Sequence, residues 1–500
     1  MPRRSVLSLG ACAAALLCGT TAAHADVTAA EVWDSWVSSV NAARPDMMTH
    51  GAPEMSGDTL TVPEVGLSFE DEGTRFVSDV GDITLTENGD GTVTIEMADS
   101  YPFSLTTPEG PTLTAEITQE NMVIVASGTP GAISYAVTAD QYAIDATDMT
   151  DPDGQPMEGD FRVALNDVTG TYDVTEGEIR ALGYAVSAAT VDLLIDATDA
   201  AGDSALVSGK MEGLSVDADL AIPASFDSTA PETVFVDGFT GAIRYGLTGG
   251  TYLFEISDAE SGANGTASTG AIDVSAAIAL DRVDYRTSVS NVALDMTAPD
   301  LPIPVAVQIA SYGLNASIPL SATEAPADFA LGFNITDLAV NDELWLMGDP
   351  GGALPHDPVT LRLDLTGTMR VLSDLLDPAQ SATLEEGAPP AELNSISLND
   401  LAINAAGASV TGQGAFTFDN SDMTTVPGMP RPEGSVTFDI SGANALIDAL
   451  VGMGVLPEDQ AMMGRMMMGM FARSTGDDQL TSTIEVNAEG HVLANGQRIQ

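Results

Sequence analysis

Leu214-Ser215-Val216-Asp217-Ala218-Asp219-Leu220-Ala221-Ile222 decides the fold, because apolar residues hold every even position and mostly polar ones lie between them. Side chains of a strand point to opposite faces in turn, so this stretch makes a ribbon with one dry side and one wet side. Ile272, Val274, Ala276, Ile278 and Leu280 repeat the pattern. So do Val93, Ile95 and Met97; Leu113, Ala115 and Ile117; Ile133, Tyr135 and Val137; and Phe161, Val163 and Leu165. Further on, Ile243, Tyr245 and Leu247, then Val305, Val307 and Ile309, then Phe329, Leu331, Phe333 and Ile335 continue it. Asn88-Gly89-Asp90-Gly91, Asp151-Pro152-Asp153-Gly154 and Gly249-Gly250 supply turns between the runs. No helical period interrupts this stretch. Antiparallel meanders are therefore expected rather than βαβ units, which argues against the two-lobed α/β fold of periplasmic solute-binding proteins. The expected fold is mainly β: one or more large curved antiparallel sheets of many strands, with an N-terminal helix and a C-terminal helical pair.

The first residues read as a secretory signal. Arg3 and Arg4 form the basic start, Val6 to Leu17 the apolar core, and Ala23-His24-Ala25 the small-residue cleavage site. The apolar stretch is short of the ~20 residues that cross a bilayer. Arg3-Arg4-Ser5-Val6-Leu7 has a weak twin-arginine character and Leu9-Gly10-Ala11-Cys12 a weak lipoprotein character, but ordinary cleavage after Ala25 fits better. Three segments follow: 1–25 as signal peptide, 26–346 as helix plus long β region, and 347–500 as a second β segment with a helical pair. That last segment either folds by itself or completes the same sheet. The expected location is the periplasm, with no transmembrane segment in the mature chain.

Cys12 and Cys18 are the two cysteines and both lie in the signal. Mature disulfides, thiolate metal sites and cysteine nucleophiles are thereby excluded. The chain has 73 acidic residues against 16 basic ones, for a formal charge of -57, and Lys210 is its one lysine. Nucleic acid and anionic headgroup surfaces both need a basic footprint, so neither is an expected partner. The acids are scattered without calcium-ligand spacing, which reads as a well-hydrated surface.

Thr28-Ala29-Ala30-Glu31 fits a capping box, and Val32, Trp33, Trp36, Val37 and Val40 then fall on one helical face that ends at Arg44-Pro45. Such a stripe buries against a sheet or docks on a partner. Beyond Met347 to Pro355 the texture changes. Leu361, Leu363 and Leu365 read as a strand, and Val371, Leu372, Leu375 and Leu376 as a short helix stopped at Pro378. Gly387 to Pro390 reads as a loop. Strands return at Ile396 to Leu398, Leu401 to Ile403, Phe416 to Phe418 and Val436 to Ile440. A helical pair follows. Ala445, Leu446, Ala449, Leu450 and Met453 mark its first member; Met462, Met463, Met466, Met467, Met470 and Phe471 mark its second, with Pro457 in that helix's first turn. Two strands, around Leu480 to Val486 and His491 to Ala494, close the chain.

The methionine stripe is the sharpest local signal. Methionine fills irregular core gaps and also lines adaptable apolar grooves. A packed helix face is the plain reading. The functional one is an apolar ligand-binding face made of Leu446, Leu450, Met453, Met462, Met463, Met466, Met467, Met470 and Phe471. Copper binding through thioethers lacks a supporting His or Cys nearby. His50, His356 and His491 are far apart, and no zinc, nucleophile-elbow or P-loop motif is present. Asp151-Pro152-Asp153-Gly154 is a fragment of a calcium loop without its later ligands. No metal, cofactor or catalytic constellation is therefore expected, and the chain reads as non-enzymatic.

Leu344 to Pro358, Gly414-Ala415-Phe416-Thr417-Phe418-Asp419, the Met-rich helix and the ending Gly490-His491-Val492-Leu493-Ala494-Asn495-Gly496 together resemble a family of exported alphaproteobacterial proteins, domain of unknown function 2125. The resemblance runs over most of the mature chain and is densest after Leu344. It implies no activity. A looser likeness, of texture alone, is to AsmA-type envelope proteins, whose long curved sheets are thought to carry lipid on an apolar inner face; this chain lacks their N-terminal membrane anchor.

Two functions remain in competition. One is a curved sheet holding a lipid, an acyl chain or another apolar ligand. The other is a structural or protein-interaction component of the envelope. An outer-membrane barrel is disfavoured, because aromatics make up only 5% of the chain and such barrels need aromatic girdles.

Overall fold

The computed structural model describes residues 26–43, 46–71, 73–108, 112–151, 154–199, 201–226, 233–258, 261–381 and 389–499. The signal reading of residues 1–25, the helix stop at Arg44-Pro45, Pro152-Asp153 of the second turn and Gly387-Ala388 of the loop lie outside the described residues.

The chain opens with α1 (Ala29–Ala43). Its capping box forms: Glu31 Oε2 accepts from the Thr28 N–H at 2.9 Å and from Thr28 Oγ1 at 2.8 Å. Strands β1 (Met48–Thr49) and β2 (Glu54–Ser56) edge β3 (Thr59–Asp71), which pairs with β4 (Thr74–Glu87). Four short strands follow: β5 (Val93–Glu96), β6 (Ser100–Thr106), β7 (Thr112–Glu120) and β8 (Val123–Thr129). Three of the longest strands come next, β9 (Ala132–Thr150), β10 (Glu158–Thr175) and β11 (Ile179–Thr198), and then β12 (Ser204–Pro223). Four more short ones, β13 (Thr240–Leu247), β14 (Gly249–Ser257), β15 (Gly262–Thr269) and β16 (Ile272–Ile278), lead to β17 (Arg282–Thr297), β18 (Val305–Pro319) and β19 (Ala327–Val340).

One connection pattern is used twice. The end of β4 turns into β5 while its start pairs with β6; β6 pairs with β7, β5 with β8, and β9 spans both tiers. From β12 to β17 the route is the same, with β13–β16 in one tier and β14–β15 in the other. Every pairing is antiparallel, as the one-sided alternation requires.

After β19 come α2 (Asp342–Gly348), β20 (Val359–Val371), α3 (Pro378–Ser381), β21 (Ala391–Ala405), β22 (Ala408–Asp419) and β23 (Arg431–Ser441). Then come α4 (Ala443–Gly452), α5 (Glu458–Phe471) and β24 to β27 (Arg473–Gly476, Gln479–Val486, Val492–Ala494 and Gln497–Arg498). β20 pairs with β19, so the ladder runs unbroken past Met347. No pairing among the described residues joins the β1–β3 end to the β24–β27 end.

Three local readings differ from the structure. Residues 372–376 form no helix; β20 runs through Val371, and Pro378 begins the one-turn α3 instead of stopping a helix, as befits a residue whose missing N–H is no loss in a first turn. Ile396 to Leu398 and Leu401 to Ile403 are one strand, β21, with a bulge where the register slips between Leu398 and Leu401. Pro457 caps α5 with extended ψ 143 and is not inside it.

The sheet is creased along its middle. In nine long strands the apolar phase breaks once, with an i, i+3 step: Val62/Val65, Val80/Ile83, Ala139/Tyr142, Leu165/Val168, Ala188/Val191, Met211/Leu214, Val289/Val292, Ile309/Tyr312 and Ile335/Leu338. Left-handed residues sit in six of these steps: Glu64, Gly81, Asp167, Gly213, Asn291 and Asp337. One such residue re-aims the side chains that follow it, as in a bulge. Gly213, at φ 62, is required there, because a Cβ would lie 2.6 Å from the Thr248 hydroxyl. Apolar residues from both sides of the step pack together: Ala139, Val168 and Ala188 with Val191, Tyr142 and Met211. The dry faces of both halves thus lie on the inner side of the bend, and the sheet forms a trough with two walls.

α1 lies in the trough at the β3–β10 end. Val32 and Trp33 pack with Val62, Leu85, Ile95, Tyr135 and Val174, and this is the principal core. Beyond α1 the inner face is covered only in places among the described residues: Leu247, Val289 and Phe329 are buried, while Tyr184, Ile243, Tyr285 and Leu331 are exposed.

Candidate ligand-binding trough

Directly opposed residues on neighbouring strands share a face, so register alone traces the inner lining of the first wall. Starting in the covered part, Ala126, Tyr135, Tyr172 and Tyr184 stand in line on β8 to β11. The line goes on through Ala218, Ile243, Ala276 and Tyr285 to Ala316, Leu331 and Leu365. It ends through Leu398, Gly414 and Val436 at Ile484 on β25. From β11 to β25 that is about 50 Å at ~4.8 Å per strand. The next row faces outward and is polar: Asp217, Arg244, Ser275, Arg286, Asn315, Gly332, Asp364 and Asp400.

Exposure divides the inner row. Under α1, Leu85 is 0% and Tyr135 2% accessible. Beyond it, Tyr184, Val186, Ile243, Tyr285, Leu314, Leu331, Phe333 and Ile403 are 37–48% accessible. A contiguous exposed apolar strip of this length is unusual for a soluble surface and marks a contact site.

The strip begins at a cavity of about 920 Å³ below the end of α1, walled by Trp36, Met48, Tyr172, Tyr184, Ile222 and Phe226. The aromatic rings make a ladder: Trp36 to Tyr135 at 6.1 Å, Tyr135 to Tyr172 at 5.6 Å and Tyr172 to Tyr184 at 4.6 Å between centroids. Burial, then a hydrogen bond with Tyr172, pushes the Tyr184 phenol up to about 12. Burial likewise raises Tyr135. These phenols are therefore neutral at ordinary pH, and the ladder is an uncharged amphipathic edge. Among the described residues one cation lines the cavity: Arg180, 9% accessible, whose Nε lies 3.2 Å from Glu176 Oε1 and whose Nη2 donates to Ser39 Oγ on α1.

The sequence-derived site residues fall in two sets at the far end. Leu446, Leu450, Met453 and Phe471 are half-buried in the α4–α5 hairpin. Met462, Met463, Met466, Met467 and Met470 all face solvent, at 52–69% accessible. The inward stripe of α5 is Ala461, Gly464, Met468 and Phe471. Arg465 bonds Asp448 at 2.5 Å and ties the two helices together.

Sequence reasoning missed the trough lining beyond its individual strands, the tyrosine ladder and Arg180. A signal existed for Arg180: it occupies the even, apolar phase of Leu182, Tyr184 and Val186. α2 was missed as well, although its Trp345 stacks on His356, which follows the helix, at 4.7 Å, and His356 Nδ1 lies 2.9 Å from Asp342 Oδ1.

The fold and trough define a class, a creased all-antiparallel sheet with one open apolar face. A family model described as an uncharacterized protein conserved in bacteria, domain of unknown function 2125, matches residues 253–496. The chain belongs to this family through a stretch running from β14 to the final hairpin, narrower than the motif resemblance suggested. No curated protein and no solved structure matches the chain. No helix among the described residues is long and apolar enough to cross a membrane.

Proposed function

We propose that this protein is a non-enzymatic, exported protein of the periplasm that holds a lipid or another apolar ligand along the open part of the trough. The observation that carries the reading is the inner row from Tyr184 to Ile484, apolar on every strand yet half-open to solvent. Leaving such a row bare costs roughly 25 cal/mol per Å² relative to covering it. An acyl chain covers it without needing hydrogen-bond partners. The test is native mass spectrometry of Asp26–Gln500 produced with its signal in a Gram-negative host, followed by organic extraction. Discrete adducts that extract as phospholipid or fatty acid are expected. A clean ligand-free mass, with no uptake of added fatty acid, would sink the reading.

A second reading has its own support. The five exposed methionines of α5 form an adaptable apolar face outside the trough. That face suits docking on an envelope protein, as in a structural component without a small ligand. Replacing Met462, Met466 and Met470 by Gln separates the two: ligand content stays and partner capture falls if docking is the role of this helix.

A further inference from the structure

The trough has polarity along its length, and Arg180 sets it. We propose that Arg180 binds the oxyanionic head of an amphiphile whose chain lies along Tyr184, Ile243 and Tyr285; the inference rests on the apolar-ligand reading above. Arg180 lies in the apolar phase of β11, opposite Ile222 on β12. The inward phase carries no other cation on β9 to β18 among the described residues: Arg162, Lys210, Arg244, Arg282 and Arg286 all occupy the outward phase of their strands. A guanidinium taken out of water is expensive, and a well-packed apolar residue usually gives at least equal stability. Its bond to Ser39 ties α1 to β11, a tether that a neutral donor also provides. What the charge adds is recognition of a carboxylate or phosphate, for which the planar fork is suited. Nη1 carries no hydrogen bond among the described residues, and the cavity that Arg180 lines continues into the exposed strip. Glu176, half-open at the rim, balances the charge while the site is empty and turns to solvent when an anion arrives.

The experiment compares laurate, dodecyl phosphate and dodecanol binding to the delipidated mature chain. All share one tail, and the first two separate a carboxylate from a phosphate head. Wild type is expected to bind at least one anion about tenfold more tightly than dodecanol, the size of a charged hydrogen bond. In R180M that preference disappears while dodecanol binding is unchanged; R180K keeps part of it. Equal wild-type affinity for all three overturns the assignment of Arg180 and leaves the trough reading standing. Failure of all three to bind overturns both. The wild-type comparison requires no variant, so a misfolded R180M does not spoil the test.

Discussion

The two ends of the sheet are built alike and finished differently. From β3 to β10 the apolar inner face is filled by α1, and Val32, Val62, Leu85 and Ile95 are almost wholly buried. From β11 onward the same face, with the same alternation and the same connection pattern, is half-open along the row from Tyr184 to Ile484, with buried residues such as Val191, Leu247, Val289 and Phe329 beside it. The sequence of a strand specifies which side is dry; it does not specify what dries it. The difference teaches that the open face is no failure of packing. Among the described residues the chain places a plug, α1, at the β3–β10 end. It should therefore respond to core mutations at one end and to ligand at the other.

The largest effect is expected at the plug. Trp33→Ala removes a 3% accessible side chain and should cost about 3–5 kcal/mol. Ile243→Ala, on the open face, should cost under about 1 kcal/mol. Urea unfolding followed by hydrogen exchange measures both. Equal losses would mean that the open face is packed in solution and would break the comparison. Next in size is Leu331→Asp. It places a charge in the middle of the exposed row without burying it, so melting should stay within a few degrees, about the scale of 1 kcal/mol. Bound lipid should fall severalfold. Unchanged lipid content would put the ligand elsewhere.

Much of this was legible in the residues. Leu214 to Ile222 and Phe329 to Ile335 announced strands, Thr28 to Glu31 announced the helix start, and the antiparallel architecture followed. The crease was written there too, and was overlooked. Four runs end or begin where the phase breaks: at Leu165, at Leu214, at Ile309 and at Ile335. Those stops looked like strand ends. They lie inside strands up to 20 residues long, and at three of them a left-handed Asp167, Gly213 or Asp337 turns the chain without ending the ladder. The methionine stripe shows the opposite limit. Helical spacing picks out a face, but not which way the face points, and α5 turns Met462 and Met466 outward while Ala461 and Gly464 let the backbone come close. Arg180 was illegible for a different reason: its role depends on a cavity shared with α1, far away in sequence.

The open end needs another source of order, and the carboxylates supply it. Asp349, buried in the turn after α2, accepts the N–H groups of Leu354 at 2.7 Å and Ala353 at 3.0 Å, which hold it below the usual aspartate range. Asp422 is lowered chiefly by Thr425, Asp419 by Ser421 before Arg431, and Asp478 by the Ala445 N–H. All four lie beyond β19. A carboxyl whose folded value is depressed stabilises fully above its unfolded value, ~3.9, and that contribution is lost as pH falls through the folded value. As pH falls below about 4, hydrogen exchange should therefore quicken in β20 to β25 before it does in the α1-covered core. Simultaneous loosening would show that the polar turns do not govern the open end.

The smallest effect is the most local. Asp478 lies in the turn from β24 to β25, yet its carboxylate accepts from the backbone N–H groups of Asn444 and Ala445, both at 3.0 Å. It thus caps α4 from a distance, where Gly442 at the N-cap offers no side chain. Asp478→Ala should weaken α4 by about 1 kcal/mol, the ordinary worth of a cap. Amides in α4 would then exchange about fivefold faster, with β3 to β10 unchanged. Exchange that spreads through the filled end would join the two ends into one cooperative unit. Confinement to α4 and α5 would instead mark the methionine hairpin as a separately mobile appendage at the open end of the trough.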